Sequence, residues 1–169
     1  PLRKTISGDI YVSTDFMILT QERHNVDVSL RTALKSASGN DYSNARYYDN
    51  AGYFFDAAIG RKFVLNPGRS DLSISASGGF LCWQTDNGRQ NDAFMYGLRL
   101  SYRYRGLSLS TEYGGYSGWE KDGDSPMTLK TNLSSRYGNL IFSIGHQVGL
   151  ADWPFHQFRV GLSYILHKK

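Results

Sequence analysis

The stretch Ala93–Trp119, AFMYGLRLSYRYRGLSLSTEYGGYSGW, alternates apolar side chains with polar or very small ones over almost its whole length. One parity of its first half is Phe94, Tyr96, Leu98, Leu100, Tyr102 and Tyr104, and the other is Ala93, Met95, Gly97, Arg99, Ser101, Arg103 and Arg105. Arg105-Gly106 leaves room only for a tight turn, and the alternation resumes at Leu107. Successive side chains of a strand point to opposite faces, so this pattern predicts a hairpin of two long strands, each with one apolar face.

The rest of the chain repeats this unit, and nine strands are expected in total. The hairpin at Ala93–Trp119 contributes two of these strands. The other seven are Thr5–Leu19, Asn25–Ser36, Tyr53–Leu65, Leu72–Thr85, Thr128–Tyr137, Leu140–Leu150 and Phe158–Leu166. The alternation is weakest in the third strand, where Gly60-Arg61 suggests a bulge. Soluble strands average about five to six residues, whereas a tilted strand that crosses a bilayer needs about 9–11. The strand lengths expected here favour strands that cross a bilayer.

The connections between these strands alternate between short and long. The short ones are Thr20–His24, Asn66–Asp71, Arg105-Gly106 and Gly138-Asn139, and the long ones are Ala37–Gly52, Asp86–Asp92, Glu120–Met127 and Ala151–Gln157. Short turns on one side and longer polar loops on the other are typical of transmembrane barrels.

The overall composition fits a single domain spanning residues 1–169. The chain has no run of about 18 apolar residues, so a membrane helix is excluded. The mean hydropathy of −0.43 is that of a soluble protein, but a membrane barrel hides its apolar residues in alternation and has a similar value. The single cysteine, Cys82, excludes an internal disulfide.

The net charge of +4 and the pI near 9.2 are compatible with nucleic acid, an anionic membrane or acidic solutes as partners. The cationic residues are spaced at alternate positions of several strands and do not form a run. We expect them to point into a closed barrel, which predicts no nucleic-acid partner.

The two faces of the predicted sheet differ in composition, and this difference favours a barrel whose apolar outer face contacts lipid. The polar face is rich in Gly and Ser, which suits a crowded interior, and the chain offers no helix to cover an apolar face. Aromatic residues near strand ends on the apolar face are typical of interfacial girdles. The expected girdle residues are Phe63, Phe94, Tyr96, Tyr102, Tyr104, Tyr113, Trp119, Tyr137 and Tyr164. The alternative is a soluble barrel with an apolar ligand pocket.

The repeated hairpins and the last strand, FRVGLSYIL at Phe158–Leu166, resemble bacterial outer-membrane β-barrel proteins over essentially the whole chain. Such proteins end in an alternating strand with a terminal aromatic residue; here Val160, Leu162 and Tyr164 keep the alternation, but His167–Lys169 follows. The resemblance implies an all-β, up-and-down antiparallel transmembrane barrel, integral to a Gram-negative outer membrane and surrounded by lipid and lipopolysaccharide. It also implies a small porin-like transport channel or a structural membrane protein.

The expected number of strands is odd, whereas single-chain bacterial barrels have even numbers. We therefore expect a further strand upstream of Pro1 or one supplied by another protein chain, giving ten strands or more. The alternative is that the first two elements are assigned wrongly.

The inward parity of the strands carries many charges. The expected cationic lumen residues are Arg31, Lys35, Lys62, Arg99, Arg103, Arg105, Lys130, Arg136 and Arg159, and the acidic ones are Asp9, Asp15, Asp27, Asp56 and Glu112. In a water-filled lumen these side chains would favour anionic or zwitterionic solutes. The alternative is an interior packed with ion pairs, because a barrel of about eight strands is just wide enough for side chains to fill.

The functional expectation is a passive channel or structural protein with an arginine-rich lumen and no catalytic residue, metal or cofactor. The second hypothesis is a binding or assembly subunit that acts through its loops, such as the tyrosine-rich Asp41–Asp49, or through a partner chain. The third is an outer-membrane hydrolase, in which His156 would act from the loop that contains Asp152. The acidic loop Glu120–Met127 is a weaker candidate for a calcium site.

Overall fold

The computed structural model describes residues 9–39, 50–84, 90–119 and 124–166. The strands are β1 (Tyr11–Leu19), β2 (Asp27–Lys35), β3 (Gly52–Asn66), β4 (Ser70–Gln84), β5 (Gln90–Tyr104), β6 (Leu107–Gly118), β7 (Met127–Tyr137), β8 (Leu140–Ala151) and β9 (His156–Tyr164). A four-residue helix, α1 (Gln21–His24), joins β1 to β2. The expected tyrosine-rich loop at Asp41–Asp49, the first half of the acidic loop (120–123), the tail His167–Lys169 and the start of the first expected strand lie outside the described residues.

All nine strands belong to one antiparallel sheet, and each strand pairs with its neighbours in sequence. The β5–β6 hairpin is in register from Ala93 opposite Gly118 to Tyr104 opposite Leu107. Because paired residues share a face, the apolar parities of all nine strands form one surface, which we call the outer face, and the other parities form the inner face. The all-β, up-and-down architecture is therefore confirmed.

The two-residue turns use the geometry that suits hairpins. Arg105 has φ 53° and Gly138 has φ 59°, and each is the first central residue of its turn. A positive φ at this position is the pattern of a type II′ turn, whose twist matches that of the flanking strands. Among the described residues, no helix has the length and apolar character to cross a membrane.

The buried residues are few, and most of them lie on the inner face, whereas Cys82 has the parity of the outer face. The buried apolar residues are Ala33, Leu81, Cys82 and Ala93, and the buried polar ones are Lys35, Asp56, Asn91, Ser110 and Asp124. The large apolar side chains of the outer face remain exposed, up to 86% at Val160 and 83% at Tyr137. The described chain therefore has no apolar core of the ordinary kind, since its apolar surface points away from the sheet.

The sheet is not closed into a barrel, because β1 and β9 form its two edges and do not pair with each other. The bulge expected at Gly60-Arg61 is wrong: pairing with β4 continues through both residues, and the register shifts only between Val64 and Asn66. The placement of His156 in a loop is also wrong, because it begins β9 opposite Val148.

Candidate functional site

The inner face is curled, so that residues from distant strands line common cavities. Arg31 of β2 and Lys130 of β7 both line a cavity of about 410 Å³, together with Arg99 and Glu112. A second cavity of about 670 Å³ extends from Arg99 to Arg159 of β9. The structure thus brings most of the charged residues expected in the lumen onto one concave surface.

Glu112 of β6 is placed between two cations at the middle of this surface. Its Oε1 lies 3.4 Å from Nε of Arg99 on β5, and its Oε2 lies 3.2 Å from Nζ of Lys130 on β7. All three side chains are between 35% and 56% exposed, so water screens the interaction. Because one carboxylate is shared between two cationic side chains, this group of three has a net positive charge.

Arg31 forms an ion pair with Asp56 between β2 and β3. Its Nε donates to Oδ2 of Asp56 at 3.0 Å, and its guanidinium lies 5.5 Å from the ring centre of Phe54. The Asp56 side chain is only 9% exposed, whereas that of Arg31 is 44% exposed. Asp15 of β1 is in register with Arg31 on the other side, at the open edge of the sheet.

Several charged and polar side chains are buried at the end of the sheet that carries the long loops. Lys35 forms an ion pair with Asp9, donates to the backbone oxygen of Asn50 at 2.5 Å, and lies 5.4 Å from the ring centre of Trp83. The side chains of Lys35 and Asp9 are 4% and 3% exposed. Nearby in the sheet, Asn91 and Asp124 are buried and joined by a hydrogen bond of 2.9 Å from Nδ2 to Oδ1. Buried charges need such partners, so this end resembles the packed alternative more than an open lumen.

The end that carries the short turns is more basic, and its cationic side chains Lys62 and Arg103 are more exposed than Lys35. Arg103 donates to Oδ2 of Asp71 from Nε at 2.8 Å and from Nη2 at 2.5 Å, and Nζ of Lys62 lies 3.7 Å from the same oxygen. These residues line a cavity of about 500 Å³ together with Arg105 and Arg136. The two ends of the inner face therefore differ in the exposure of their charged side chains and in charge balance.

The remaining charged residues expected in the lumen lie on the inner face without an acid–base partner in the described chain. Oδ1 of Asp27 accepts a hydrogen bond of 2.7 Å from the backbone N–H of Gln21 and so holds the α1 turn. Arg159 donates from Nη2 to Oε1 of Gln147 at 2.8 Å. Asp27 therefore has a local structural contact, whereas Arg159 leaves its charge uncompensated.

All of the expected girdle residues lie on the outer face, but not all lie at strand ends. Phe63, Phe94, Tyr102, Tyr104, Tyr137 and Tyr164 lie toward one end or the other of their strands, and Trp119 directly follows the end of β6. Tyr96 and Tyr113 lie nearer the middle of β5 and β6, where their ring centres are 6.1 Å apart. The hydroxyl of Tyr113 also donates to Sδ of Met127 at 3.0 Å.

Sequence reasoning missed Asp71, which pairs with two cations. The turn signal Asn66-Pro67-Gly68 placed the start of the strand at Leu72, so Asp71 was assigned to the connection. The strand in fact begins at Ser70, and Asp71 has the same parity as Ser73 and Ser75. Extending that alternation backwards would have placed Asp71 on the inner face. Asp124 was expected in an exposed loop but is 2% exposed.

Two histidines meet on the outer face across β8 and β9. Nε2 of His146 and Nδ1 of His156 are 3.1 Å apart, the ring planes differ by 5°, and Phe158 stacks on His146 at 4.6 Å. Within the described chain, neither imidazole is hydrogen-bonded to a hydroxyl or a carboxylate, which a hydrolase of the Ser-His type requires. The described residues also contain no cluster of three or more His, Cys, Asp or Glu side chains that could hold a metal.

No family model, no curated protein and no solved structure matches this chain. Functional inference therefore rests on the sheet, its two faces and its cavities.

Proposed function

We propose that the chain is a small outer-membrane β-barrel whose cationic inner face serves as a path for anionic solutes. The observation that carries this proposal is the exposed apolar surface that runs across all nine strands. Soluble monomers rarely expose contiguous apolar patches of more than a few hundred square ångströms. The outer face offers such a surface on every strand, for example Phe16, Leu30, Ile59, Leu98 and Leu162, all more than 40% exposed.

The distribution of charge supports lipid as the environment of the outer face. In the described strands, the outer parity contains only two Asp, Glu, Lys or Arg side chains, Asp92 and Arg61, besides the histidines His146 and His156, whereas the inner parity contains the other Asp, Glu, Lys and Arg side chains. Asp92 lies near the long-loop end of β5. Arg61 stacks on Phe63 at 5.2 Å, and its long side chain can reach the short-turn interface.

Strand length supports the same environment. Strands β3, β4 and β5 have 15 residues each. At about 3.4 Å per residue such a strand is about 50 Å long, and a tilt of about 45° reduces its height to about 35 Å. The hydrocarbon core of a bilayer is about 30 Å thick, so these strands would cross it and extend slightly beyond it.

The open edges of the sheet support one further strand in the complete barrel. Strands β1 and β9 run in the same direction, because eight antiparallel pairings separate them. Direct closure would join them in parallel, whereas one additional strand would pair with both in the antiparallel sense. In lipid the unpaired edges would cost several kcal/mol for each unsatisfied group, so closure is strongly favoured.

The packed long-loop end favours a second candidate, a barrel that acts through its loops or through a partner chain and conducts little. The buried Lys35–Asp9 pair and the Asn91–Asp124 contact fill the inner face where a pore would need water. A hydrolase remains the third hypothesis, and hydrolysis of lipid or peptide substrates by wild type but not by His156→Ala would support it.

Single-channel conductance with Arg99→Glu separates the first two candidates. In a cationic pore this change reverses a charge that lines the cavity and shifts the selectivity from anions toward cations. Arg23→Glu is the matched control, because it makes the same change in the exposed α1 turn. A membrane-inserted protein that shows no channel events would contradict the pore and leave the partner-dependent candidate.

A further inference from the structure

We propose that the short-turn end of the inner face holds a specific site for a soluble multivalent oxyanion of the phosphate class. The cavity there has a volume of about 500 Å³. Its charged lining consists of five cations and one acid: Lys62, Arg69, Arg103, Arg105, Arg136 and Asp71. A site of this kind goes beyond a diffuse cationic lumen, because it needs neither barrel closure nor conductance.

The single acid in the cavity is already engaged by two of the cations. Asp71 accepts both hydrogen bonds from Arg103 and lies 3.7 Å from Nζ of Lys62. Within the described residues, Arg69, Arg105 and Arg136 have no carboxylate within ion-pair distance. Three guanidinium groups therefore remain available to an anion from outside.

Backbone hydrogen bonds fix the three arginines relative to one another. The N–H of Arg105 donates to the carbonyl of Arg69 at 2.6 Å, and the N–H of Arg136 donates to the carbonyl of Gly106 at 2.8 Å. These bonds tie the β3–β4 turn, the β5–β6 turn and the end of β7 into one unit. The basic residues are thus attached to a connected backbone and not to separate flexible loops.

One of the side chains is also oriented by a contact of its own. Nε of Arg136 donates to the carbonyl of Gly138 at 2.9 Å. The planar fork of a guanidinium suits two oxygens of a phosphate group, and pre-oriented side chains lose less entropy on binding. Ser108 and Ser134 line the same cavity on the inner parity and offer hydroxyl donors.

Pyrophosphate binding by the folded chain in an uncharged detergent tests this site. The detergent excludes lipid phosphate, and isothermal titration in about 150 mM NaCl screens diffuse attraction. We expect saturable binding by the wild type and a loss of at least about tenfold in affinity for Arg105→Gln with Arg136→Gln. Arg105→Lys with Arg136→Lys keeps the charge but removes the fork, and we expect it to restore only part of the affinity.

The matched control is Arg23→Gln with Arg61→Gln, which removes the same charge outside the cavity, from the α1 turn and from the outer face of β3. We expect it to bind as the wild type does. Equal losses in the two double variants, or no saturable binding by wild type, would overturn the site. Pyrophosphate binding without conductance would contradict only the pore, and conductance without pyrophosphate binding would contradict only this site.

Discussion

Asp56 illustrates how single residues stabilise the inner face. Its nearly buried carboxylate accepts hydrogen bonds from Arg31, whose own side chain is half exposed. Hydrogen bonds to charged groups contribute about 1.5–3 kcal/mol, and a buried acceptor that loses its partner costs a similar amount. The network at this point therefore depends more on the acid than on the exposed base.

The first prediction is that Asp56→Asn lowers the free energy of unfolding by about 1.5–3 kcal/mol. Asp15→Asn is the control, because Asp15 is in register with the same arginine but lies exposed on the edge strand β1. We expect the control to cost less than about 0.5 kcal/mol. Urea unfolding of the reconstituted protein measures both values, and equal losses would contradict the importance of burial.

The β5–β6 turn shows a conflict between sequence and backbone conformation. Arg105 has φ 53°, a conformation that side chains with a Cβ adopt at a cost, whereas its neighbour Gly106 has no positive φ. Gly106 is needed for another reason, because a Cβ there would come within 2.9 Å of the Arg136 carbonyl oxygen. Each residue thus has a separate constraint.

The second prediction concerns this pair of residues. Arg105→Gly relieves the strained φ and raises the free energy of unfolding by up to about 1 kcal/mol. Gly106→Ala forces the turn away from β7 and lowers the free energy of unfolding by about 1–3 kcal/mol. Both are measured by urea unfolding, and a destabilised Arg105→Gly protein would show that the arginine side chain matters more than its backbone strain.

The third prediction concerns the link between β8 and β9. His146 and His156 form a cross-strand pair, and such pairs contribute roughly 0.2–1 kcal/mol. A double-mutant cycle with His146→Ala and His156→Ala should give a coupling energy in this range. Additive losses would mean that the two rings are merely adjacent.

The alternation in the sequence was sufficient to predict the strands and their faces, because the side-chain period of two is a local property. The hairpin at Ala93–Trp119 is paired as expected. Contacts between strands were harder to predict: the pairing of Arg31 with Asp56 depends on the register between β2 and β3, which a long connection separates. The meeting of His146 with His156 was missed because the start of β9 was placed at Phe158. Asp71 was not assigned to the inner face because the turn signal Asn66-Pro67-Gly68 was given more weight than the parity of the strand that follows it.

At the scale of the whole molecule, the sheet has a distinct polarity from end to end. Lys35 and Asn91 are buried near the long-loop end, whereas Arg105 and Arg136 line a basic cavity at the short-turn end. In the channel that we propose, a solute entering from the short-turn side would meet the cationic cavity first, and the buried side chains at the other end would limit its rate of passage.

The fourth prediction concerns closure of the sheet. If a further strand pairs with β1 and β9, the backbone amides on the free edges of these two strands will be protected from hydrogen exchange in the protein isolated from its native source. In the chain of 169 residues reconstituted alone, the same amides should exchange at least about tenfold faster. Equal exchange in the two samples would contradict completion by an additional strand.

The central claim is that the outer face contacts lipid, and site-specific fluorescence quenching tests it most directly. Single cysteines, introduced after Cys82→Ser, carry a fluorophore at Leu98, Leu100 and Tyr102 on the outer face or at Gly97, Arg99 and Ser101 on the inner face. In vesicles with brominated lipid tails, we predict strong quenching at the first three positions and weak quenching at the second three. Quenching that does not alternate along β5, or outer-face labels that an aqueous quencher reaches as easily as inner-face ones, would contradict the membrane-barrel account.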